Sequence, residues 1–344
     1  MKFKFYLLTF FVFTLTFVAC NKDDGGGVPP IVEEDRDEQQ VIDDALLVEY
    51  LETHYYNSSM FVSNMNPKIA DLIISDLPED GVLPDPDNNT LLIDAIETHN
   101  TVYKETNYKY YVLRLNQGIG IESPNFTDNV RINYSGNFLD EEIFDSTSNP
   151  TQLDLSSLVA GWQRVLPQFN TAESFVINGD GTVEYTSHGV GVMFLPSGLG
   201  YYAGAVFGVP AYSNLIFKFE LYQTEQNDHD ADGIPSYLED IDGDLDIYSD
   251  NTDDDQFSNF IDVDDDGDGT ITKDEIIETI YNETTRQAIL DLVLASNEVL
   301  IKIVEVEDEE GMISYDGYTV TFPDTNGNGI PNYLDEDESE SFDE

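Results

Sequence analysis

The fold of the central part of the chain can be worked out from Val130-Arg131-Ile132-Asn133-Tyr134-Ser135-Gly136, followed after a turn by Ile143-Phe144-Asp145-Ser146-Thr147. Apolar and polar residues alternate along the first run, as they do in a strand with one face on a core. Similar runs occupy residues 108–115, 192–196 and 215–221. Because Gly and Pro separate these runs, the sequence predicts an antiparallel sheet.

A short helical segment is predicted from Val159 to Phe169, and it contains Trp162, the only tryptophan of the chain. A second turn, at residues 178–181 (Asn-Gly-Asp-Gly), is typical of a hairpin. Strands with few helices indicate an α+β fold for this region.

Five short motifs follow one another between residues 105 and 225. They are Val-x-x-x-Tyr-x-Gly (130–136), Phe-Asp-Ser (144–146), Val-x-Gly-Trp (159–162), Leu-Pro-Ser (195–197) and Leu-Ile-Phe-x-Phe-Glu-Leu (215–221). In this order they resemble the FKBP-type peptidyl-prolyl isomerases. The resemblance implies an FKBP-like antiparallel half-barrel sheet wrapped on a short helix, at residues 105–225.

The resemblance also implies a pocket for a proline ring. Trp162 would form its floor, Tyr201 would donate to the substrate carbonyl, and Asp145 would lie near the twisting amide. The apolar walls are assigned to Tyr134, Phe144, Leu158, Val159, Val209 and Phe217. Plain core packing is the alternative for the apolar members. The chemistry implied by the family needs no catalytic cofactor.

The composition of the 344-residue chain excludes several classes of function. Lys+Arg number 14 against 69 Asp+Glu, a formal net charge of −55, which argues against nucleic acid as a partner. Hydrophobic residues make up 40% of the chain and aromatic residues 12%, which is too much apolar surface for wholesale disorder. The single cysteine excludes a disulfide framework.

The first nineteen residues have the form of a bacterial export signal, with two lysines, an apolar run and a small residue before Cys20. Residues 17–20 resemble a lipoprotein cleavage box, so Cys20 is the predicted lipidation site. An ordinary signal peptide with an incidental cysteine is the alternative. Residues 20–36 would then be a tethering linker. This predicts a lipid anchor in the outer membrane, with the protein periplasmic or on the cell surface.

Residues 37–104 form a separate N-terminal segment. Helical spacing from Asp37 to Tyr55 places Ile42, Leu46 and Tyr50 on one face. Asp35 or Asp37 is the expected N-cap. We expect that face to pack against the following domain, with a dimer contact as the alternative. Residues 57–88 suggest no function.

Residues 226–344 are strongly acidic, with 37 Asp+Glu against three basic residues. The window from Asp264 to Glu275 fits the twelve-residue EF-hand loop, and its exit helix is expected to run from Asp274 to Asn282. Hard oxygen donors at this spacing favour Ca²⁺. The predicted ligands are Asp264, Asp266, Asp268, the carbonyl of Thr270 and Glu275.

The same loop recurs on either side of this window. One copy offers Asp228, Asp230, Asp232 and Glu239, and another offers Asp324, Asn326, Asn328 and Asp335. Both contain Gly-Ile-Pro-x-Tyr-Leu, so they form an internal repeat that resembles thrombospondin type 3 calcium modules. A weaker copy spans Asn251 to Asp262. A disordered acidic tail is the alternative, but it predicts charge without this period. Calcium here would be structural.

Two functions remain open from the sequence. The first is an exported, lipid-anchored prolyl isomerase that assists the folding of proline-containing exported polypeptides and carries a calcium-stiffened appendage. The second is a non-catalytic peptide-binding or adhesion lipoprotein that uses an FKBP-like module on a calcium-stiffened stalk. Retention of the polar pair Asp145 and Tyr201 favours the enzyme, because a pure scaffold has no need of them.

Overall fold

The structure, a computed structural model, describes residues 33–342 except 205, 207 and 297. The predicted export signal, Cys20 and most of the linker lie outside the described residues. Glu34 onward belongs to one unit by its contacts. Among the helices that the structure describes, none has the length and apolar character needed to cross a membrane.

The N-terminal segment is a helix followed by a small sheet. Helix α1 (Arg36–Thr53) starts where the Asp35 side chain accepts hydrogen bonds from two backbone N–H groups, which confirms one of the two expected caps. Strands β1 (His54–Tyr56), β2 (Ile74–Asp76) and β3 (Thr90–Leu91) pair antiparallel in the order β2-β1-β3, and the short helix α2 (Leu92–Ala95) follows.

The predicted buried face of α1 is wrong in part. Ile42 and Leu46 are 54% and 44% exposed, and only Tyr50 of the predicted positions is buried. The buried residues are Gln39, Gln40, Asp43, Leu47, Tyr50 and Leu51. The buried face of α1 includes the polar residue Asp43, because its carboxylate accepts hydrogen bonds from Ser197. Apolar spacing alone therefore predicted the wrong side of the helix. The expected packing of α1 against the central domain is confirmed.

The central sheet is antiparallel throughout and has the order β4-β5-β11-β12-β6-β7, with β8 also paired to β6. Its strands are β4 (Glu97–Tyr103), β5 (Thr106–Asn116), β6 (Asn129–Asn137), β7 (Ile143–Ser146), β8 (Thr151–Asp154), β11 (Gly189–Leu195) and β12 (Leu215–Glu225). Strands β9 (Ser174–Ile177) and β10 (Val183–Thr186) form the predicted hairpin. Helix α3 (Ala160–Val165) lies within the predicted helical segment, which continues as a 3-10 turn at Leu166–Gln168.

Both faces of this sheet are covered. Met193 and Leu195 of β11 point into the core around α3, whereas Val190, Val192 and Phe194 point into the core beneath α1. Alternate residues of one strand therefore serve two cores, which explains why every position of β11 is buried. The α+β class and the sheet wrapped on a short helix are as predicted.

The acidic C-terminal region contains a sheet that the sequence analysis did not anticipate. The expected exit helix is wrong: α4 (Thr272–Glu275) ends after one turn, and strand β13 (Ile277–Glu283) replaces the remainder. β-branched and aromatic residues in this stretch favour a strand. After α5 (Arg286–Ala295), strands β14 (Val299–Glu307) and β15 (Ile313–Thr321) complete the order β13-β15-β14.

A small apolar core joins the repeats to this sheet. Ile234 and Tyr333, one from each Gly-Ile-Pro repeat, pack with Ile276 and Val320. The four side chains are between 0% and 4% exposed. The acidic region is therefore folded around its own core, contrary to the disordered alternative.

Candidate active site and acidic loops

Trp162 lies at the bottom of an aromatic cluster on the α3 side of the sheet. Its side chain is 3% exposed, and its ring centroid is 5.0 Å from that of Phe217 on β12. The ring of Tyr134 on β6 meets it edge-on at 5.6 Å. Phe144 on β7 meets Phe217 in the same edge-on manner, also at 5.6 Å. Rings from three strands therefore form one cluster, in which Tyr134 and Phe217 contact the indole directly.

The remaining predicted pocket residues join this cluster. Leu158, Val159 and Tyr201 pack against it and are partly exposed, as are Tyr134 and Phe144, whereas Val209 is buried. Trp162 and Phe217, each 3% exposed, form the buried side of this cluster, and the partly exposed residues form its outer side; we call this arrangement the aromatic niche. Asp145 is exposed and lies at the rim through its contact with Tyr134.

Two glycines of the sequence motifs make this close packing possible. A Cβ at Gly136 would lie 2.6 Å from Cζ of Phe144 and 2.9 Å from Cε1 of Phe217. A Cβ at Gly161 would lie 2.2 Å from Cδ1 of Leu195. The first glycine lets the pocket rings lie across β6, and the second lets α3 approach β11 closely enough to place Trp162.

The polar members of the site are joined by hydrogen bonding and charge. The Tyr134 hydroxyl donates to Oδ2 of Asp145 over 2.5 Å. Burial, followed by this hydrogen bond and the carboxylate charge, raises the pKa of the Tyr134 phenol above its ordinary value. Burial and the charge of Asp145 also raise the pKa of Tyr201, so Tyr201 lies within electrostatic reach of that carboxylate. Both phenols therefore stay protonated donors.

The neighbouring Tyr202 has a different environment. Its hydroxyl donates to the Glu34 carbonyl, and the Arg36 guanidinium lies 4.0 Å above its ring. The N–H of Glu34 donates to the Tyr212 hydroxyl over 3.0 Å. Of the two adjacent tyrosines, Tyr201 thus belongs to the pocket, and Tyr202 belongs to the contact with the start of the described chain.

Sequence reasoning missed two contributors to the site. Phe138, on the turn after β6, extends the aromatic cluster with its ring 5.0 Å from Phe144. Asp43 of α1, 0% exposed, accepts hydrogen bonds from the N–H and hydroxyl of Ser197 and so fixes the Leu-Pro-Ser motif before Tyr201. An aromatic residue two positions beyond the motif Gly136 was a usable indication for Phe138, whereas nothing in the pattern marked Asp43.

The acidic loops contact the segment that carries the pocket floor. The ring nitrogens of His229 lie near Ser236 Oγ (2.7 Å) and Asp154 Oδ2 (3.1 Å). The guanidinium of Arg164, on the helix of Trp162, donates to the Asp244 carbonyl over 3.4 Å. The C-terminal region is therefore docked on residues 154–164.

The aspartates of two predicted metal sites form compact carboxylate groups. Oxygens of Asp264, Asp266 and Asp268 all lie within 4.8 Å of one another, as do those of Asp228, Asp230 and Asp232. In the last repeat, the side-chain amides of Asn326 and Asn328 donate to Asp335, and Asp324 accepts the N–H groups of Gly327 and Gly329. Thr270 donates its N–H to Asp268 over 2.6 Å.

The loop from Asp264 to Glu275 fits a hard cation. Asp264 Oδ1, Asp266 Oδ2, Asp268 Oδ2 and Glu275 Oε1 are buried and have no hydrogen-bond partner among the described residues. Burial and the charges of the three aspartates raise the pKa of Glu275 to about 8, so its carboxylate lies within electrostatic reach of theirs. Several unsatisfied carboxylate oxygens in one loop match the all-oxygen coordination that Ca²⁺ requires.

Two further carboxylate groups occupy the chain between these loops. Asp253, Asp255 and Asp262 form the weaker copy, and Asn251 has its buried Oδ1 unpartnered among the described residues. Asp240, Asp242 and Asp250 form a group that the sequence analysis did not single out. The acidic groups therefore follow one another along residues 228–268.

Residues 120–222 match the family model of the FKBP-type peptidyl-prolyl cis-trans isomerases. The central domain of this chain is thus an FKBP-type peptidyl-prolyl cis-trans isomerase, as the order of the five motifs predicted. Residues 229–299 match a second family model, described as BamM C-terminal, which covers the first acidic loops, β13 and α5.

Two solved structures are similar to parts of the chain. A peptidyl-prolyl cis-trans isomerase from Pseudomonas syringae pv. tomato is 24% identical, with 34% of this chain and 76% of that chain covered and a TM-score of 0.28. FkpA from Escherichia coli is 18% identical, with 55% of this chain and 62% of that chain covered and a TM-score of 0.32. No curated protein matches the chain.

Proposed function

We propose that the protein is an exported, lipid-anchored isomerase that twists X-Pro bonds in unfolded or exported polypeptides, with a C-terminal region stabilised by bound calcium. The observation that carries this proposal is the aromatic niche over Trp162, whose outer residues are partly exposed, with the hydrogen-bonded pair Tyr134 and Asp145 at its rim.

The niche suits the physical task. Amide resonance sets a rotation barrier of roughly 20 kcal/mol, and X-Pro bonds isomerise over tens of seconds or longer without help. The twisted transition state has lost conjugation and carries less charge separation than the planar amide. An apolar, water-poor surface such as that of Trp162 and Phe217 therefore favours the twisted form over the planar one.

The polar rim supplies what an apolar surface lacks. The Tyr201 phenol is a protonated donor that can hold the carbonyl of the residue before proline. Asp145, fixed by Tyr134, places a carboxylate beside the rotating amide. These groups orient the bond and need form no covalent intermediate with it.

A protease-coupled assay on a proline peptide tests the activity. Trp162→Ala and Asp145→Val are expected to reduce kcat/KM strongly. Phe175→Ala, which removes an aromatic ring from the exposed β9–β10 hairpin, and Asp140→Val, which removes an exposed carboxylate from the β6–β7 turn, are the matched controls. Wild type and variants all at the uncatalysed rate would refute catalysis and leave peptide binding without turnover.

The export and anchoring proposals are supported by the sequence before Cys20 and the Lys-Asp-Asp that follows it. Mass spectrometry of the protein recovered from membranes should find a diacylglyceryl group on Cys20. Cys20→Ser is expected to abolish the modification and release the protein from the membrane fraction. An unmodified, soluble wild-type protein would refute the lipid anchor.

The calcium proposal is supported by the buried carboxylate oxygens that lack partners in the acidic loops. Carboxylates packed this closely repel one another and need a cation between them. Titration calorimetry on the chain from Asn21 to Glu344, with calcium as the injected ion, is the direct test. Absence of heat at millimolar calcium would remove the proposal.

A further inference from the structure

Asp265 is the second residue of the loop that opens at Asp264, a position that does not supply a ligand to its own EF-hand-like loop. Its carboxylate lies instead with those of Asp232 and Glu239, which belong to the loop from Asp228 to Glu239. Oxygens of these three side chains all lie within 4.8 Å of one another. Two loops distant in sequence thus contribute to one carboxylate group.

These three carboxylates are all deeply buried. Asp232, Glu239 and Asp265 are 2%, 1% and 2% exposed. Both side-chain oxygens of Glu239, both of Asp265 and Oδ2 of Asp232 have no hydrogen-bond partner among the described residues. The remaining oxygen of Asp232 accepts the N–H of Ile234 over 2.7 Å.

Such an arrangement requires a positive charge between the oxygens. Buried carboxylates are stable when paired or when they coordinate a metal, and isolated ones are costly. None of the ion pairs found among the described residues involves these three side chains. The donor set consists of oxygens alone, which favours a hard divalent cation over a transition metal.

The geometry of the surrounding core explains why the site spans two loops. Ile234 lies two residues after Asp232, and Ile276 comes directly after Glu275, the last residue of the second loop. Both isoleucines pack in the core with Tyr333. Asp265 also donates its N–H to Thr272 Oγ1 over 3.1 Å, which fixes its backbone within its own loop. The three carboxylates therefore meet only when the two loops are docked.

We propose that Asp265 is an inter-loop ligand: together with Asp232 and Glu239 it binds a calcium-class divalent cation that fastens the loop from Asp228 to the loop from Asp264. This assignment rests on the proposed calcium binding. The assignment adds to that proposal a site formed by residues from two repeats, at which the bound ion would hold the two loops together.

Calcium calorimetry on the chain from Asn21 to Glu344 tests the assignment through double-mutant cycles. Asp265→Asn is expected to weaken one class of sites by roughly 10–100-fold, the scale seen when a supporting group of a metal site is lost. Its effect should be non-additive with that of Glu239→Gln, which acts on the same ion. It should be additive with that of Glu275→Gln, which acts on the other loop. Asp291→Asn removes one exposed charge outside the loops and is the matched control.

Thermal unfolding gives a second readout, because Asp265→Asn should have opposite effects without calcium and with it. In chelator, Asp265→Asn should unfold at a higher temperature than wild type, because a buried uncompensated charge is gone. The rise in melting temperature on addition of calcium should be smaller for Asp265→Asn than for wild type. A merely structural Asp265 would instead lower the metal-free melting temperature.

Three outcomes are decisive. Calcium affinity and stoichiometry of Asp265→Asn equal to those of Asp291→Asn would overturn the assignment. Coupling to Glu275 in place of Glu239 would overturn it as well, because Asp265 would then serve its own loop. A wild-type chain that binds no calcium would instead sink the calcium proposal itself, so the two failures are distinguishable.

Discussion

The Tyr134 hydroxyl donates a 2.5 Å hydrogen bond to Asp145 Oδ2 and so connects β6 to β7 at the rim of the aromatic niche. Tyr134 also meets Trp162 edge-on, so one side chain contacts both the floor and the polar rim. The orientation of the carboxylate therefore depends on a residue that is itself part of the apolar wall.

Tyr134→Phe should keep the wall and release Asp145. A hydrogen bond to a charged group contributes about 1.5–3 kcal/mol to the arrangement that it holds. Without it we expect kcat/KM for a proline peptide to fall by about tenfold or more, and the free energy of unfolding to fall by no more than this amount. Tyr185→Phe, which removes a hydroxyl that donates to Gln223 from the β9–β10 hairpin, is the control. Equal rates for both variants and wild type would contradict this role.

Gly136→Ala should block the niche from within the sheet. The new methyl group would overlap the rings of Phe144 and Phe217, and overpacking of this kind costs about 1–3 kcal/mol. We expect a loss of isomerase activity in a protein that still folds, measured by peptide turnover and urea unfolding. Gly179→Ala, where a Cβ meets nothing within 4 Å, should be neutral in both.

Asp43→Ala should loosen the N-terminal helix from the pocket loop. The change leaves the buried N–H and hydroxyl of Ser197 without their acceptor, at a cost of roughly 1–3 kcal/mol for each such group. The free energy of unfolding should fall accordingly in urea. Glu49→Ala, on the exposed side of the same helix, controls for charge and propensity. Similar losses for the two variants would contradict the anchoring role.

Asp128 should make stability depend on pH. Its side chain is 2% exposed, and burial raises its pKa from 3.8 to about 6. Because the folded pKa is raised, the neutral form is favoured: this contribution to stability is complete below about pH 4 and is lost as the pH rises through about 6.

Asp128→Asn removes the charge, so the variant should not lose this stability as the pH rises. At pH 7.5 the free energy of unfolding of the variant should exceed that of wild type by up to about 3 kcal/mol, because each tenfold difference in proton affinity between the folded and unfolded chains corresponds to about 1.4 kcal/mol. At pH 4 the two proteins should differ little. Urea unfolding at the two pH values measures the difference. The same gain at both values would show that Asp128 is not the titrating group.

Removal of calcium should destabilise the C-terminal region. An ion that binds only the folded state contributes about 2.7 kcal/mol when present at 100 times its Kd, so the melting temperature should drop in chelator and recover on addition of calcium. Sodium chloride at matched ionic strength separates binding from charge screening. Full recovery with sodium alone would contradict specific binding.

The aromatic cluster was predictable from sequence because its residues lie in motifs that resemble those of a known family. Tyr134 and Gly136 lie on the same face of β6, and Trp162 lies in the first turn of α3, so the structure brings the residues of these motifs together. The buried side of α1 was not predictable in this way, because Asp43 is selected by a partner 154 residues away.

The C-terminal sheet escaped prediction for a related reason. Strands β14 and β15 contain acidic residues, as the surrounding loops do: Glu305 and Glu307 in β14 and Asp316 in β15. This acidic composition concealed the alternation of apolar and polar residues that is typical of strands. Asp265 was likewise invisible within its own loop, because its partners belong to another repeat. Long-range contacts, not local propensity, thus decided the buried side of α1 and the role of Asp265, whereas the sheet was hidden by its acidic composition.

Glu34 is held by Tyr202 and Tyr212, on the same loop that carries Tyr201. A mechanical load transmitted along the preceding chain therefore reaches this loop before it reaches α1 or the sheet. If Cys20 carries the proposed lipid, tension on the chain would act first on the hydroxyls of Tyr202 and Tyr212, and Tyr202 is the direct neighbour of Tyr201. The proposed anchor and the proposed peptide site would then be mechanically adjacent.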